Sequence, residues 1–238
     1  EREDIADFQR LIDIVPGFRH LLEEEKCKLP YSINLLDEIH ANENAHSRIL
    51  RKLLMFSETT GSISKYPIFG LFLKYLGYPF ADLAQIKPVI TAERARIDLL
   101  IRDRDYSIII ENKINGAGDQ EEQLKRYVEK LTTANVREDN IYVLYLSADG
   151  GSPSESSWPD TMRKRFGCRY REINYRDDVY RFLNDDASRY VTAQQETTAI
   201  EFLRSALHQY VDYLEGRFHY RKGEQTMRDK TRAYLEEK

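Results

Sequence analysis

The sequence predicts an α/β fold in which helices and strands follow the order helix, three strands, helix, strand. Three observations carry this reading. Residues 93–101 and 106–114 are two runs rich in Ile and Leu, joined by the short charged turn 102–105, the pattern of a hairpin. Residues 141–146 form a near-continuous apolar run, the signature of a strand buried on both faces. Around these strands, residues 34–56 and 120–131 space their apolar side chains at the helical period.

In chain order, residues 2–25 read as a helix interrupted near Pro16 and Gly17, with Ile5, Phe8, Leu11 and Ile12 at helical spacing; Pro30 and Tyr31 then break the chain. Residues 34–56 form a second helical stretch whose apolar faces comprise Leu35, Leu36, Ile39, Ile49, Leu50, Leu53 and Leu54, with Asn42 or Asn44 as a cap inside it. Residues 59–66 are a polar loop. Residues 67–76 make a short apolar helix closed by Gly77. Residues 87–93 are the first strand, with Pro88 at its entrance, where a missing N–H costs least. After the hairpin, Asp119 is placed to cap a helix, with Glu122 completing a capping box. In that helix Leu124, Val128 and Leu131 face the sheet, while Gln120, Gln123 and Tyr127 share another stripe. Residues 147–157 are a Gly/Ser/Pro loop that Trp158 anchors. Residues 168–174 make a last strand, and Asp177 caps a short helix running to residue 183. Residues 196–217 are a long amphipathic helix that covers the core with Ile200, Leu203, Leu207, Tyr210 and Leu214; a charged tail follows from Tyr220.

The chain of 238 residues is long enough for a large core, and no Gly/Ser/Pro linker divides it. It therefore reads as one domain over 1–238, with a core of about 34–185 and helical extensions over 1–33 and 186–238. The net charge of −4 means that any nucleic-acid surface has to be a local one. Such a surface could be built by Arg163, Lys164, Arg165, Arg169, Arg171 and Arg176, interleaved with Phe166, Tyr170 and Tyr175; a strand edge protected by charge is the alternative. Cys27 and Cys168 are too few for a zinc site or a disulfide framework and read as free thiols of a reducing compartment. No run suits a membrane span or a signal peptide, which points to a cytoplasmic protein. Glycine-rich phosphate loops, His-Glu-x-x-His and nucleophile elbows are missing from the sequence.

The chemistry concentrates in the hairpin. Asp is disfavoured inside strands, yet Asp98 sits in the middle of one. Side chains alternate along a strand, so Glu111 and Lys113 share a face, roughly 7 Å apart, and pairing can bring Asp98 beside them. Two carboxylates about 4 Å apart repel by about 4 kcal/mol at an effective dielectric of about 20, and Lys113 offsets only one of the charges. A divalent cation would relieve that crowding. A surface salt bridge is the plainer reading.

Asp98 followed across a turn by Glu111-Asn112-Lys113 resembles the PD-(D/E)XK nuclease superfamily, whose fold is restriction-endonuclease-like. Gln123 and Tyr127 carry the Gln-x-x-x-Tyr pattern of the members similar to the RecB-type exonuclease domain. Upstream, Glu43-Asn-Ala-His46-Ser47-Arg48-Ile-Leu50 looks like the helix that supplies that superfamily's first acidic residue. Together with residues 111–115 and 119–120, this text resembles a bacterial branch of the superfamily over about residues 40–175.

The resemblance implies a central mixed β-sheet flanked by helices. It implies an enzyme that hydrolyses DNA phosphodiester bonds with Mg²⁺ or Mn²⁺, with DNA as partner and a homo-oligomer or the proteins of a defence or repair system as further ones. Asp98 and Glu111 would ligate the metal with the Asn112 carbonyl, and Glu43 would complete or orient the shell. Glu93 ranks behind Glu43 as a further acid. Lys113 would position the attacking water and stabilise growing charge. Gln120, Gln123 and Tyr127 would hold the substrate backbone or order the metal ligands. Other readings stay open: Glu43 as a first-turn acid favouring its helix dipole, Gln123 and Tyr127 as solvated surface, and the whole chain as a non-cleaving DNA-binding or assembly module on the same fold. His46 is read as buried and hydrogen-bonded, outside the metal shell.

Overall fold

The computed structural model describes residues 15–21, 23–24, 27, 33–60, 62–81, 88–94, 97–116 and 118–236. The chain divides into two compact units, residues 36–211 and residues 1–35 with 212–238.

The larger unit is built on a five-stranded sheet of β3 (Val89–Arg94), β4 (Ile97–Arg102), β5 (Ser107–Lys113), β6 (Ile141–Ser147) and β7 (Tyr170–Asn174), in that spatial order. The first three strands run antiparallel, and β5, β6 and β7 are mutually parallel. The sheet is mixed, as the resemblance implies. The run 93–101 is shared between two strands, since Glu93 and Arg94 belong to β3. The side chain of Glu93 lies outside the described residues. The charged turn closes where Asp103 N–H donates to the Tyr106 carbonyl at 3.0 Å. All seven residues of β5 are buried, including its four polar ones, because strands flank it on both sides and helices α2 and α4 pack on it.

Helix α1 (Leu35–Glu38) and helix α2 (Glu43–Leu54) replace the single predicted stretch 34–56. His40 adopts φ 47° between them, and Asn42 caps α2 by accepting from Ala45 N–H at 2.9 Å. Ile39, in this break, is 66 % exposed and so belongs to no core face. The polar loop 59–66 is in fact a small hairpin, β1 (Glu58–Thr60) with β2 (Ile63–Lys65), in which Thr59 and Ser64 pair across the strands. Helix α3 (Pro67–Tyr75) starts with Pro at its first turn and ends on Gly77, whose φ of +62° is the left-handed value that a helix stop favours in glycine.

Helix α4 (Gln123–Thr133) buries Leu124, Val128 and Leu131 against the sheet, as its periodicity predicts. Its start differs. Glu122 is left-handed with φ 51° and makes no capping hydrogen bond, so the capping box from Asp119 does not form. Trp158 is fully buried against Phe166, at 5.1 Å between centroids, and Tyr170, at 5.5 Å. It anchors the loop that follows β6 and precedes α5 (Asp160–Phe166). Trp158→Ala is expected to destabilise the protein by about 3–5 kcal/mol in chemical denaturation, the usual cost of truncating a fully buried Trp. A loss below about 1 kcal/mol would show that the loop is held elsewhere.

After β7, Asn174 rather than Asp177 caps the next helical segment, accepting from Asp177 N–H at 2.7 Å. Two π-helical turns, Tyr175–Val179 and Phe182–Ala187, lead into α6 (Ser188–Thr192). Helix α7 (Thr198–Arg217) buries Ile200, Leu203, Leu207 and Tyr210 in the larger unit.

In the smaller unit, residues 15–21 are helical and α8 (Lys222–Glu236) is the last helix. The rest of the predicted helix over 2–25 falls largely outside the described residues. Here Asp212 accepts from Asn34 Nδ2 at 2.7 Å and from Arg221 at 3.0 and 2.8 Å. Among the described residues no helix is long and apolar enough to cross a membrane.

Candidate active site

Strands β4 and β5 place the two central carboxylates. Their pairing runs through Leu99 opposite Ile110, so one step further Asp98 stands opposite Glu111. Beyond Ile110 the backbone ladder gives way to a side chain: Asp98 Oδ2 accepts from Asn112 N–H at 2.9 Å. A strand residue's N–H and C=O leave on the same side, so the Asn112 carbonyl faces the Asp98 side of β5 too.

Glu111 is 1 % exposed. Its Oε1 accepts from Gln123 Nε2 at 2.8 Å and pairs with Lys113 Nζ at 3.0 Å, while its Oε2 is buried without a hydrogen-bond partner. Burial, and then the charge of Asp98, push the Glu111 carboxyl up to about 8 against the opposing pull of Lys113. Lys113 is equally enclosed. Burial would lower its pKa, but Glu111, Asp119 and Asp98 outweigh burial and raise it. Its ammonium also lies 3.4 Å from both the Gly118 carbonyl and Gln123 Oε1, and 3.7 Å from Asp119.

Gln123 and Tyr127 are buried, so the solvated-surface reading fails for both. Gln123 Nε2 bridges Glu111 and the Tyr127 hydroxyl, the latter at 3.0 Å. Burial first, then Glu111, raise the Tyr127 hydroxyl to about 12, so it stays protonated at neutral pH. Gln120 is not on this stripe, because the helix begins three residues after it. It is exposed, and its Oε1 accepts from Arg126 at 3.2 Å.

Glu43 opens α2 beside the end of β5. Its Oε1 accepts from Asn115 N–H at 3.2 Å, and its main-chain carbonyl accepts from Asn112 Nδ2 at 3.1 Å. Asn112 Nδ2 also donates to Ser47 Oγ at 2.9 Å, which fixes the helix to the strand. His46 is fully buried, with Nδ1 3.0 Å from the Tyr210 hydroxyl, in keeping with a structural role.

The basic run after Trp158 is largely committed to the protein itself. Arg163 pairs with Glu172 at 2.6 Å, Arg165 forks onto Glu138 at 2.8 and 2.6 Å, and Arg169 donates to the carbonyls of Glu138 and Ile141 at 2.6 and 3.3 Å. Arg171 reaches the Gly77 carbonyl at 3.4 Å. These contacts fit a guarded edge strand, which β7 is.

Sequence reasoning missed Asp119 as part of the site. It stands beside Lys113, accepts from the Tyr145 hydroxyl at 3.3 Å through Oδ1, and accepts from Ser154 N–H at 2.6 Å through Oδ2. Both partners are distant in sequence, so only its nearness to Glu111-Asn-Lys could have hinted at this place.

Among the described residues, no three His, Cys, Asp or Glu side chains gather into a metal site by themselves. The donors still suit a hard divalent cation. Mg²⁺ needs only one or two carboxylates and keeps several waters, and the partnerless Oε2 of Glu111 beside Asp98 is such a donor.

This arrangement yields a test in EDTA. Between about pH 4.5 and 8 the folded state holds a proton on Glu111 that the unfolded chain has released, so this group lowers stability as pH rises through that window. The raised pKa of Lys113 acts only at higher pH. Asp98→Asn removes one repulsion and keeps an acceptor for Asn112 N–H. It is expected to melt higher than wild type, by a few degrees for a gain on the order of 1 kcal/mol, with the gap widening from pH 5 to pH 9. An equal or lower melting temperature at pH 9 would refute the crowding.

A family model described as the PD-(D/E)XK nuclease superfamily matches residues 33–207. The searches of curated proteins and of solved structures return no match.

Proposed function

Because the chain belongs to the PD-(D/E)XK nuclease superfamily, we propose that it is a divalent-metal-dependent deoxyribonuclease that hydrolyses DNA phosphodiester bonds. One observation carries this reading: Glu111 is buried opposite Asp98 with one oxygen lacking a partner and the other 3.0 Å from Lys113. A scaffold gains nothing from a carboxyl so costly to ionise, whereas a cation would relieve it.

Asp98, Glu111 and the Asn112 carbonyl would hold Mg²⁺ or Mn²⁺, with Glu43 completing or orienting the shell. The ion supplies a more acidic water and neutralises phosphate charge. Lys113 positions the attacking water and stabilises the charge that grows on the phosphate oxygens. Gln123 holds one Glu111 oxygen in place, and Tyr127, protonated, accepts from Gln123 and keeps its amide oriented. Gln120 is exposed beside these groups and would meet the DNA backbone by exchanging its contact with Arg126. We infer a cytoplasmic role in phage defence, restriction or repair.

The test is cleavage of linear, circular and single-stranded DNA with Mg²⁺ or Mn²⁺, and with EDTA as control. Metal-dependent cleavage that EDTA stops is the expected result. DNA binding without cleavage under every metal would replace the enzyme with a non-cleaving DNA-binding or assembly module.

A further inference from the structure

We propose that Asp119 is a positioning residue that shares the Lys113 ammonium with Glu111 and ties it to the loop after β6; this rests on the role given above to Lys113. The Lys113 ammonium lies between two carboxylates, Glu111 at 3.0 Å and Asp119 at 3.7 Å. The two differ in how they are held. Asp119 has both oxygens fixed, one by the Tyr145 hydroxyl on β6 and one by the backbone of Ser154, and its side chain is 8 % exposed. Glu111 keeps one oxygen without a partner.

Asp119 also has no capping duty, because α4 begins at Gln123 without a side-chain cap. Were Glu111 its sole partner, Lys113 would have nothing to hold it in place once a cation takes the Glu111 carboxylate. Asp119 supplies a second, fixed carboxylate 3.7 Å from the ammonium. There a cavity of about 230 Å³ opens, lined by Lys113, Asp119, Tyr145, Ser147, Gly118 and Gly151 among others. Backbone contact reinforces the tie: Glu122 N–H donates to the Ser156 carbonyl at 2.8 Å, a second link between the segments that carry Asp119 and Ser154.

The rival account makes Asp119 a loop staple only. Asp119→Asn separates the two, because its amide oxygen can still accept from the Ser154 backbone while the charge toward Lys113 is gone. In single-turnover cleavage, Asp119→Asn is expected to slow the reaction tenfold to a hundredfold, the usual cost of losing such a supporting group. The DNA concentration giving half the maximal rate should stay within about threefold, and the Mn²⁺-induced rise in melting temperature should match wild type. Introduced into Lys113→Met, the same change should slow cleavage no further. A loop staple predicts instead that the two losses multiply and that Tyr145→Phe costs as much as Asp119→Asn.

A readout that needs no activity accompanies these. In ¹⁵N-lysine-labelled protein the enclosed Lys113 ammonium should give a slowly exchanging signal that Lys113→Met removes. Asp119→Asn should shift or broaden that signal, and Tyr145→Phe should leave it nearly in place. An unchanged signal in Asp119→Asn would overturn the proposal even in a protein that cleaves DNA. A wild type that cleaves nothing would sink the nuclease reading, while the signal would still decide the placement of Lys113.

Discussion

Glu111→Ala and Asp98→Ala are each expected to abolish metal-dependent DNA cleavage while leaving a folded protein. For Glu111 the structure makes both halves of that expectation concrete. Its side chain meets Gln123 and Lys113 through polar contacts and stands opposite Asp98. Truncation removes the buried charge together with its ionisation cost, leaving Lys113 the carboxylate of Asp119. The fold should therefore survive, unlike the case in which an unpaired buried ion is left behind. Asp98 is half-buried, and its truncation leaves the buried Asn112 N–H without that acceptor, a cost of about 1–3 kcal/mol. Circular dichroism and thermal melts in EDTA check folding, and cleavage at saturating Mn²⁺ checks function. The melting response to Mn²⁺ should shrink in both variants, because binding to the native state alone is what raises it. Cleavage that survives either change removes that residue from the assignment.

Much of this site could be read from the sequence because its parts obey short-range rules. Two strands joined by a tight turn fix a register, and a two-residue period sets Glu111 and Lys113 on one face; Asp98 then falls opposite Glu111 by pairing alone. Helix α4 was legible for the same reason, since Leu124, Val128 and Leu131 recur at the helical period and do meet the sheet.

What escaped the sequence depends on partners far along the chain. Asp119 followed by Glu122 has the outline of a capping box, a local motif worth about 1 kcal/mol. It lost to Tyr145 and Ser154, 26 and 35 residues away, and to the Lys113 charge. The Arg-rich stretch likewise left two readings open in the sequence, a nucleic-acid surface and a guarded strand edge, with nothing to choose between them. Its cations are claimed by Glu138 and Glu172 and by carbonyls that composition cannot locate. Ile39 fitted a helical stripe, but the left-handed His40 broke the helix and turned Ile39 outward. Periodicity cannot register such a break when the break itself contains apolar residues.

Lys113→Met is expected to reduce single-turnover cleavage at saturating Mn²⁺ by about a hundredfold or more, while the protein still responds to Mn²⁺ in thermal melts. The methionine stem fills the same enclosed space, so packing around a residue that is 6 % exposed is largely kept. What disappears is the cation 3.0 Å from Glu111, and with it the force that draws the Glu111 carboxyl down. In EDTA, Glu111 in this variant therefore holds its proton to higher pH than in wild type. Binding of the cation releases that proton, so affinity for Mn²⁺ should weaken at neutral pH and recover as pH rises. Cleavage should not recover with it. Loss of a single preorganised electrostatic stabiliser costs about 10²–10³ in rate, and added metal or alkali does not return a charge at that position. Tracking the cleavage rate and the Mn²⁺ melting shift together over pH 7 to 9 thus separates the two duties of Lys113. A rate that returns to the wild-type value once Mn²⁺ saturates the protein would reduce Lys113 to a counter-ion for Glu111.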